Sequence, residues 1–443
     1  MALEAEGYKK FTAIQEQAIP KLLEGHDLLG VAQTGTGKTA SFALPILQDL
    51  ALDETTTSKK RRIQSLIIAP TRELAIQIND SVKKYGKHLN LKSLVIYGGV
   101  SQHPQTKRLR QGVDILIATP GRLLDLIQQK HVHLDNVRHF VLDEADLMLD
   151  MGMIDDVKRI VKYMPKKRQT MLFSATMPNA IEMLTKELLN DPVKVEVTPV
   201  SSTVDIIEQK VYFVDQGNKT NLLLDLLNDT EIESALVFSR TKMGANKIVQ
   251  ALVNNGHQAE AIHSDKPQRA RQKALKNFKE RKTRVLVATD IAARGIDISQ
   301  LSHVINYNLP EVPETYVHRI GRTGRSGNDG IALSFVSSAE RNMLRGIQQL
   351  IGKNIPEVSD HKFPAVETGG DSNGKKRRRR RRPSSSQGQG PAKGQGADGK
   401  NKKSSKRRSN AETSGSGSYK RNNRSKRGKR GNSTARGGQS NKR

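Results

Sequence analysis

One glycine-rich stretch reads Ala32-Gln33-Thr34-Gly35-Thr36-Gly37-Lys38-Thr39, between an apolar run, Leu28–Val31, and a helix-forming run, Ala40–Leu47. Strand, glycine loop and helix in this order are typical of a phosphate-binding loop. Glycines let backbone N–H groups approach the phosphates, and the helix N-terminus favours negative charge. We expect Lys38 to reach the β- and γ-phosphates and Thr39 to bind magnesium. Because Ala32 replaces the first glycine of the common pattern, a glycine-rich turn without a ligand stays an alternative.

An acidic segment, Asp143-Glu144-Ala145-Asp146, follows the apolar run Phe140–Leu142. Ligands of parallel sheets collect at the carboxyl ends of the strands. We therefore expect Asp143 to hold the metal through water and Glu144 to orient or deprotonate the attacking water. Read alone, such a tetrapeptide is a solvated loop, and the phosphate loop upstream is what favours the catalytic interpretation.

A basic segment far downstream reads His318-Arg319-Ile320-Gly321-Arg322-Thr323-Gly324-Arg325. Arg322 and Arg325 are close enough in sequence to face one phosphate group, where arginine stabilises the transferred phosphoryl charge. We include His318 with them as a catalytic candidate. The segment lies too far from Lys38 for one compact nucleotide domain, so two domains are expected to close over ATP. A basic surface segment without a ligand is the alternative.

Short apolar or β-branched runs recur between helical stretches such as Arg72–Tyr85. Their continuous apolar character is typical of strands buried on both faces of a parallel sheet, which predicts an α/β fold. The strands predicted for a first domain, residues 1–199, are Leu28–Val31, Leu66–Ala69, Leu94–Tyr97, Ile115–Ala118, Phe140–Leu142 and Met171–Phe173. Those predicted for a second domain, residues 208–362, are Val211–Val214, Ala235–Ser239, Ala259–His263, Val285–Ala288, His303–Tyr307 and Ile331–Val336. Residues 200–207 are predicted to form a linker.

The formal charge of +29 is concentrated near the C-terminus. Residues 367–443 hold 25 Lys and Arg against 4 Asp and Glu, with too few apolar side chains to offset ordering entropy. We therefore predict a disordered, Lys/Arg-rich tail over residues 363–443, for which nucleic acid is the favoured partner and a solubilising charge run is the alternative. The chain has no cysteine. It also lacks a run of about 18 apolar residues and a signal-peptide pattern, so we expect a cytoplasmic protein.

The motifs and their order resemble those of DEAD-box ATP-dependent RNA helicases, most closely the bacterial RhlE type. The resemblance covers residues 7 to about 362. Besides the three segments above, it rests on Gln15, Pro70-Thr71-Arg72-Glu73-Leu74, Gly98-Gly99, Thr119-Pro120-Gly121-Arg122, Ser174-Ala175-Thr176, Val237-Phe238-Ser239-Arg240, Gln268 to Arg271 and Ala288–Asp297. It implies two tandem RecA-like parallel-sheet domains, with ATP and Mg²⁺ as cofactors.

Roles for individual residues follow from the resemblance. Gln15 is implied to read the adenine edge, and Gly295 and Asp297 to approach the sugar and phosphates of the nucleotide. Ser174 and Thr176 are implied to couple Asp146 and the ATP site to RNA binding. The residues implied to grip the RNA backbone are Thr71, Arg72, Gly98, Gly99, Thr119, Arg122, Arg240, Thr289 and Arg294. At the hydroxyl and glycine positions, helix capping or a tight turn is the alternative.

The implied activity is RNA-stimulated ATP hydrolysis that locally separates short RNA duplexes or remodels RNA–protein complexes. Backbone contacts carry no base code, so we expect a sequence-nonspecific core, with the tail as a tether to structured RNA. An ATP-gated RNA clamp and a tail-driven RNA chaperone are the alternatives. We expect a monomer, with ribosomal or mRNA-decay complexes as compatible partners. Gln15 also lies too near Met1 for the upstream aromatic residue of the family, which predicts weaker ATP binding than in a version extended upstream.

Overall fold

The computed structural model describes residues 2–5, 7–8, 10–33, 35–53, 61–197, 207–293, 301–324 and 330–366. Both predicted domains belong to one compact unit, Met1–Gly370. Several sequence predictions fall outside the described residues. They concern Thr34, Arg294, Gly295, Asp297, Arg325, residues 200–206 of the linker and residues 367–443 of the tail.

The first domain is a parallel sheet of seven strands with helices on both faces. In chain order its strands are β1 Leu28–Val31, β2 Ser65–Ile68, β3 Ser93–Ile96, β4 Ile115–Ala118, β5 His139–Leu142, β6 Gln169–Ser174 and β7 Val193–Glu196. Their spatial order is β3-β4-β2-β5-β6-β1-β7, with every neighbouring pair parallel. The helices are α1 Ala2–Ala5, α2 Ala13–Leu23, α3 Lys38–Leu52, α4 Arg72–Tyr85, α5 His103–Arg110, α6 Pro120–Gln128, α7 Ala145–Asp150, α8 Ile154–Val161 and α9 Asn179–Leu188.

The second domain is a parallel sheet of six strands. Its strands are β8 Ile207–Phe213, β9 Ala235–Phe238, β10 Ala259–Ile262, β11 Val285–Ala288, β12 His303–Asn306 and β13 Gly330–Val336, in the spatial order β10-β11-β9-β12-β13-β8. The helices are α10 Lys219–Leu227, α11 Lys242–Asn254, α12 Gln268–Lys279, α13 Asp290–Ala293, α14 Pro313–Ile320 and α15 Arg341–Ile351, with a 3₁₀ turn at Ser338–Glu340. Within the described residues, no helix has the length and apolar character needed to cross a bilayer.

Strand β2 shows why short apolar runs form these sheets. Leu66 and Ile68 pack into an apolar cluster on one face of the first sheet, and Ile67 packs into a separate cluster on the other face. Successive side chains of a strand point to opposite faces, so a strand covered by helices on both sides must be apolar at every position. Most of the continuous apolar runs of the sequence are therefore interior strands, as predicted, whereas the runs that form β3, β8 and β10 lie at the edges of their sheets.

Two details differ from the sequence prediction. Strand β7 was not predicted, because its alternating Val-Lys-Val-Glu pattern lacks the continuous apolar character of the interior strands. It pairs only with β1, at the edge of the sheet, and its Lys194 and Glu196 side chains are exposed. Strand β8 begins at Ile207, four residues before the predicted Val211. It pairs with β13 along its whole length, which draws the last residue of the predicted linker into the sheet.

The chain stays attached to the second sheet beyond residue 362. The backbone N–H of Ala365 donates a 3.0 Å hydrogen bond to the carbonyl of Phe213, and Phe363 packs against the apolar core. Residues 363–366, which were predicted to belong to the tail, are therefore part of the second domain, and the described residues end at Val366.

Candidate functional site

The predicted phosphate loop joins β1 to α3 at the carboxyl edge of the first sheet. Gly35 and Gly37 have φ angles of +93° and +97°, a region that favours glycine. Ala32 is buried at the start of the loop, and its N–H donates to the carbonyl of Ser174 at 3.0 Å. The loop is also closed on itself, because the Thr36 hydroxyl donates a 2.8 Å hydrogen bond to the carbonyl of Gln33. The two positive φ values fit a glycine-rich turn, both with and without a phosphate ligand.

Lys38 and Asp143 face each other at the end of this loop. Lys38 is the first residue of α3, and its Nζ lies 4.0 Å from Oδ1 of Asp143, with side chains only 5% and 3% exposed. In the part of the chain that the structure describes, neither atom has a hydrogen-bond partner. Buried charged groups normally have partners. The buried ammonium of Lys38 fits a nucleotide phosphate, and the carboxylate oxygen of Asp143 fits the water shell of magnesium.

The acidic segment continues from β5 into α7. Burial raises the pKa of Asp143 to about 6; the charge of Lys38 opposes this shift and that of Glu144 adds to it. Glu144 has a φ of +55°, an uncommon conformation for a residue with a side chain. Backbone strain of this kind occurs at functional sites. Among the described residues, no group of three or more His, Cys, Asp or Glu side chains is arranged to hold a metal. Magnesium bound through one or two carboxylates and substrate phosphates needs no such cluster.

Asp146 connects this segment to the end of β6. Its Oδ2 accepts hydrogen bonds from the backbone N–H groups of Ala175 and Thr176 at 3.1 and 2.9 Å, and from the Thr176 hydroxyl at 3.1 Å. The Ser174 hydroxyl donates to the carbonyl of Thr176 at 2.7 Å and accepts from the N–H of Asp146 at 3.3 Å. The three residues predicted to couple the two functions form one hydrogen-bonded unit.

Gln15 lies against the phosphate loop. Its Nε2 donates to the carbonyl of Gly37 at 3.2 Å, and its Oε1 accepts from the N–H of Thr12 at 3.1 Å. A Cβ atom added to Gly37 would stand 2.4 Å from Gln15 Nε2 and 2.8 Å from the Thr12 hydroxyl. A side chain at position 37 would therefore displace Gln15 and Thr12, and the φ of +97° disfavours any residue other than glycine.

Five of the predicted RNA contacts line one cavity of about 460 Å³. These are Thr71, Arg72, Gly98, Thr119 and Arg122 of the first domain, and Ser264 and Arg271 of the second domain also line it. Gly99, with a φ of +76°, lies beside it, because a Cβ atom there would meet the Arg72 guanidinium at 2.2 Å. Three arginines and several small polar groups in one cleft are the donors that a nucleic-acid backbone requires.

Two of these side chains differ in how their hydrogen-bonding groups are used. The Thr71 hydroxyl accepts from the N–H of Leu74 at 3.2 Å and so caps α4, the alternative weighed from the sequence; its O–H proton still has donor capacity. Arg122 Nη2 donates to the carbonyl of Val100 at 3.2 Å. Its buried Nη1 has no hydrogen-bond partner among the described residues, so this guanidinium retains a donor for a ligand.

An ion pair and a hydrogen bond join the two domains beside this cavity. Glu73 on α4 accepts a 2.8 Å hydrogen bond from Gln268 on α12 and pairs with Arg271 at 3.0 Å. Arg72 in turn donates to the Gln268 side-chain oxygen at 3.2 Å. Sequence reasoning found these residues as parts of motifs and assigned a role only to Arg72. No local pattern could show that α4 and α12 meet.

The basic segment of the second domain lies next to the phosphate loop. A Cβ atom on Gly321 would stand 4.0 Å from the Gln33 side-chain oxygen. Arg322 is buried, and its Nε donates to the carbonyl of His318 at 3.2 Å. Arg319, to which no role was assigned, forms a bidentate ion pair with Asp290, which holds the segment against the start of α13. The structure thus places Gly321, which lies between His318 and Arg322 in sequence, next to Gln33 of the phosphate loop.

Arg240 and Thr289 stand apart from the 460 Å³ cavity. Arg240 lines a separate cavity of about 440 Å³ in the second domain, where its guanidinium contacts Glu340 at 3.5 Å and the carbonyl of Leu309 at 3.3 Å. Thr289 follows β11, where its N–H donates to the carbonyl of Ile262 and its own carbonyl accepts from Ala292. Arg240 and Thr289 thus lie just after the carboxyl ends of β9 and β11, while Arg294, the third RNA contact predicted in this domain, lies outside the described residues.

Comparisons with known proteins agree with this arrangement. Residues 12–184 match the model of the DEAD/DEAH box helicase family, and residues 218–327 match that of the helicase conserved C-terminal domain. The chain is 45% identical over 351 residues to the ATP-dependent RNA helicase CshA of Listeria monocytogenes, covering 79% of this chain and 66% of that protein. It is 43% identical over 359 residues to the DEAD-box ATP-dependent RNA helicase CshA of Bacillus subtilis, covering 81% and 72%.

A solved structure shows the same architecture. The fold superposes on that of S. cerevisiae Dbp5 bound to RNA and ADP BeF3 with a TM-score of 0.73 and 33% identity, covering 81% of this chain and 92% of that chain. This likeness confirms the prediction of two tandem RecA-like domains. The two bacterial relatives carry the name CshA, so the finer expectation of the RhlE type is corrected, while the broader resemblance holds.

Proposed function

The chain belongs to the DEAD-box ATP-dependent RNA helicase family, and from this premise we propose that it hydrolyses ATP when RNA binds and uses the cycle to separate short RNA duplexes or remodel RNA–protein complexes. The observation that supports this most directly is the Lys38–Asp143 pair, in which two buried charged groups face each other 4.0 Å apart at the end of a glycine loop. That geometry suits a triphosphate.

In the proposed reaction, the first domain binds the nucleotide and activates water. Gln15 reads the adenine, and the loop residues Gln33 to Gly37 surround the phosphates, with Lys38 on the β- and γ-phosphates. Thr39 and Asp143 would hold magnesium, Asp143 through water, and the bound ion would supply positive charge next to the phosphate oxygens. Glu144 orients the attacking water and accepts its proton as the bond to the γ-phosphate breaks.

The second domain completes the site when the domains close. Arg322 stabilises the charge on the transferred phosphoryl group, with Arg325 and His318 alongside it. Gly295 and Asp297 approach the sugar and phosphates of the nucleotide. Arg325, Gly295 and Asp297 lie outside the described residues, so their roles rest on the family resemblance. Closure that assembles a catalytic site explains how residues so distant in sequence act together.

RNA binds across both domains through its backbone. Thr71, Arg72, Gly98, Gly99, Thr119 and Arg122 grip it from the first domain, and Arg240, Thr289 and Arg294 from the second. Because the Asp146–Thr176 unit connects the acidic segment to the end of β6, RNA binding and hydrolysis become coupled through Asp146, Ser174 and Thr176. Contacts of this kind bend the strand without reading its bases.

The remaining proposals concern the setting in which the protein works. Residues 367–443 carry a net charge of +21 and tether the enzyme to structured RNA, which raises its local concentration at duplexes. We propose that the protein acts in the cytoplasm as a monomer. Ribosomal and mRNA-decay complexes are compatible partners.

The test is steady-state ATP hydrolysis by the full chain with no nucleic acid, with duplex RNA and with matched duplex DNA, alongside strand separation. Glu144→Gln is the control, because it keeps the shape and hydrogen bonding of the site and removes the base. We expect RNA-selective stimulation and a loss of about 10²–10⁴-fold in the variant, with RNA binding retained. Tight RNA binding without stimulated turnover would instead identify an ATP-gated clamp. Duplex melting that survives Lys38→Ala would identify a tail-driven chaperone.

A further inference from the structure

The two sheets have the same strand order once the edge strand β7 is set aside. Read across each sheet, β3-β4-β2-β5-β6-β1 of the first domain correspond in position to β10-β11-β9-β12-β13-β8 of the second. Strand β8 therefore occupies the position of β1, and the loop after β8 occupies the position of the phosphate loop. The second domain thus has a strand–loop–helix unit in the place where the first domain has its nucleotide loop.

The helices that follow these two loops begin with the same two residues. Helix α3 starts at Lys38-Thr39, and helix α10 starts at Lys219-Thr220. Both lysines are buried, and Lys219 is completely so. An ammonium group at this position adds to the positive end of a helix dipole, so it requires an anion nearby.

The lysines differ in what surrounds them. Lys38 Nζ has no hydrogen-bond partner among the described residues, and its nearest carboxylate is 4.0 Å away. Lys219 Nζ has three partners: it donates to the carbonyls of Tyr307 at 2.9 Å and Phe335 at 3.1 Å, and to Glu340 Oε2 at 2.5 Å. An ammonium has three N–H donors, so Lys219 is fully satisfied from within the protein.

Both oxygens of the Glu340 carboxylate accept hydrogen bonds. Oε2 also accepts from the Ser337 N–H at 3.0 Å and the Ser337 hydroxyl at 2.8 Å, and Oε1 accepts from the Leu309 N–H at 3.3 Å. Its side chain is 4% exposed. The half-exposed Arg240 guanidinium approaches Oε1 at 3.5 Å. A buried carboxylate with this many donors is fixed in place and stays charged.

We propose that Glu340 is a built-in counter-ion: it supplies to Lys219 the negative charge that a bound anion would supply, and so occupies a latent anion site in the second domain. The site is specific for a carboxylate, or an anion of similar size and charge, seated between Lys219 and the carboxyl ends of β12 and β13. Because the anion is part of the chain, the second domain does not use this loop for a nucleotide. Glu340 is also a positioning residue for Arg240.

Lys219 and Arg240 contact different oxygens of the Glu340 carboxylate. Lys219 neutralises Oε2 from the buried side, while Arg240 reaches Oε1 from the cavity. The Arg240 side chain is 40% exposed, and its contact with the fixed Glu340 carboxylate limits the orientations of its guanidinium. This consequence for RNA binding rests on the proposed function of Arg240. The test of the anion site therefore uses protein stability alone.

The experiment measures thermal unfolding of the full chain, without nucleotide or RNA, in sodium formate and in sodium chloride of equal ionic strength. Glu340→Ala removes the built-in anion and leaves Lys219 buried without its counter-charge, so its apparent Tm falls by roughly 6–15 °C in chloride. Formate takes the place of the carboxylate and raises the Tm of this variant by roughly 3–5 °C at concentrations about tenfold above its dissociation constant. The unsubstituted chain changes by less than about 1 °C.

The matched control is the double variant Lys219→Met with Glu340→Ala, in which no ammonium remains to bind formate. A formate effect that persists in this variant, or that is equal in the unsubstituted chain, would overturn the proposal. So would a Glu340→Ala variant as stable in chloride as the unsubstituted chain. If Glu340→Ala fails to fold in both salts, folding of the double variant Lys219→Met with Glu340→Met tests the proposal instead. Recovery of folding in that double variant supports an ion-pair unit, and failure to recover contradicts it.

Discussion

The side-chain amide of Gln268 donates a 2.8 Å hydrogen bond to the carboxylate of Glu73, and so joins the second domain to the first. Arg271, on the same face of α12, pairs with the other oxygen of that carboxylate at 3.0 Å. Gln268 also accepts from Arg72, which lines the proposed RNA cavity. Arg72, which lines the proposed RNA cavity, and Glu73, which contacts the second domain, are neighbours at the start of α4. RNA that binds at Arg72 therefore acts next to the contact between the two domains.

The first prediction concerns this interdomain ion pair. Glu73→Gln keeps the shape of the side chain but leaves the Arg271 guanidinium buried without a counter-charge, which is costly. We expect the closed arrangement to weaken and the RNA concentration for half-maximal ATP hydrolysis to rise by about tenfold or more, which corresponds to about 1.4 kcal/mol. Steady-state hydrolysis across an RNA titration measures the effect.

The control for this prediction is Asp156→Asn. It breaks the exposed pair between Asp156 and Arg159, at 3.2 Å, within one surface helix. Exposed pairs contribute little, so the RNA titration of this variant should match that of the unsubstituted chain. An unchanged half-saturating RNA concentration in Glu73→Gln would show that the ion pair has no part in closure.

The second prediction concerns Gly37 at the phosphate loop. Gly37→Ala adds a Cβ atom 2.4 Å from Gln15 Nε2, at a φ of +97°. Gly25→Ala has a similar φ of +88° with nothing within 4 Å, so it carries the backbone strain without the collision. We expect Gly37→Ala to lower ATP affinity by at least about tenfold, since strain of this kind costs about 1–3 kcal/mol. Gly25→Ala should lower stability by about 1 kcal/mol and leave affinity unchanged. Equilibrium binding of a fluorescent ATP analogue distinguishes the two.

The third prediction separates two adjacent glycines beside the RNA cavity. A Cβ atom on Gly99 would lie 2.2 Å from Arg72 Nη1 at a φ of +76°, whereas one on Gly98 would lie 3.9 Å from the same guanidinium, an ordinary contact. Gly99→Ala should displace Arg72 and weaken single-stranded RNA binding by roughly tenfold, the loss of about one charge-assisted hydrogen bond. Gly98→Ala, whose added Cβ atom leaves the Arg72 guanidinium in place, should weaken RNA binding less than Gly99→Ala does. Equal losses in both variants would mean that the backbone, and not Arg72, sets the affinity.

The fourth prediction is a pH dependence of stability. Burial lowers the pKa of His139 from 6.5 to about 4, an effect that Arg138 reinforces and that Asp49, 3.3 Å away, opposes only in part. Since the folded state binds the proton more weakly than the unfolded state, the stabilisation is fully present above pH 6.5. It is lost as the pH falls towards 4, by up to about 3 kcal/mol. Denaturant unfolding of the unsubstituted chain and of His139→Gln over this range measures it.

In His139→Gln this loss should disappear, so the stability difference between the two proteins should shrink by about 3 kcal/mol on acidification. Parallel pH curves for the two proteins would contradict the assignment to His139.

Several parts of the fold could be read from local patterns. Strands β1, β4 and β11 have the predicted bounds, because a continuous apolar run leaves one interpretation when both faces are covered. The edge strand β7 was missed, since its alternating residues match no interior pattern. Glu73 lay inside a recognised motif, but its partner on α12 is 195 residues away, and no spacing rule links them.

The amino-acid sequence alone determined the glycine loop, the acidic segment, the two sheets and the family, because each depends on residues that are neighbours along the chain. Tertiary structure decided which residues far apart in sequence meet. Glu73 pairs with Arg271, Gly321 lies against Gln33, and Glu340 neutralises Lys219. The physical reason is that charge pairing and burial depend on distance in space, and parallel sheets bring the ends of distant strands to one edge. Lys219-Thr220 after β8 repeats Lys38-Thr39 after β1, but only the folded chain shows that the Glu340 carboxylate pairs with Lys219.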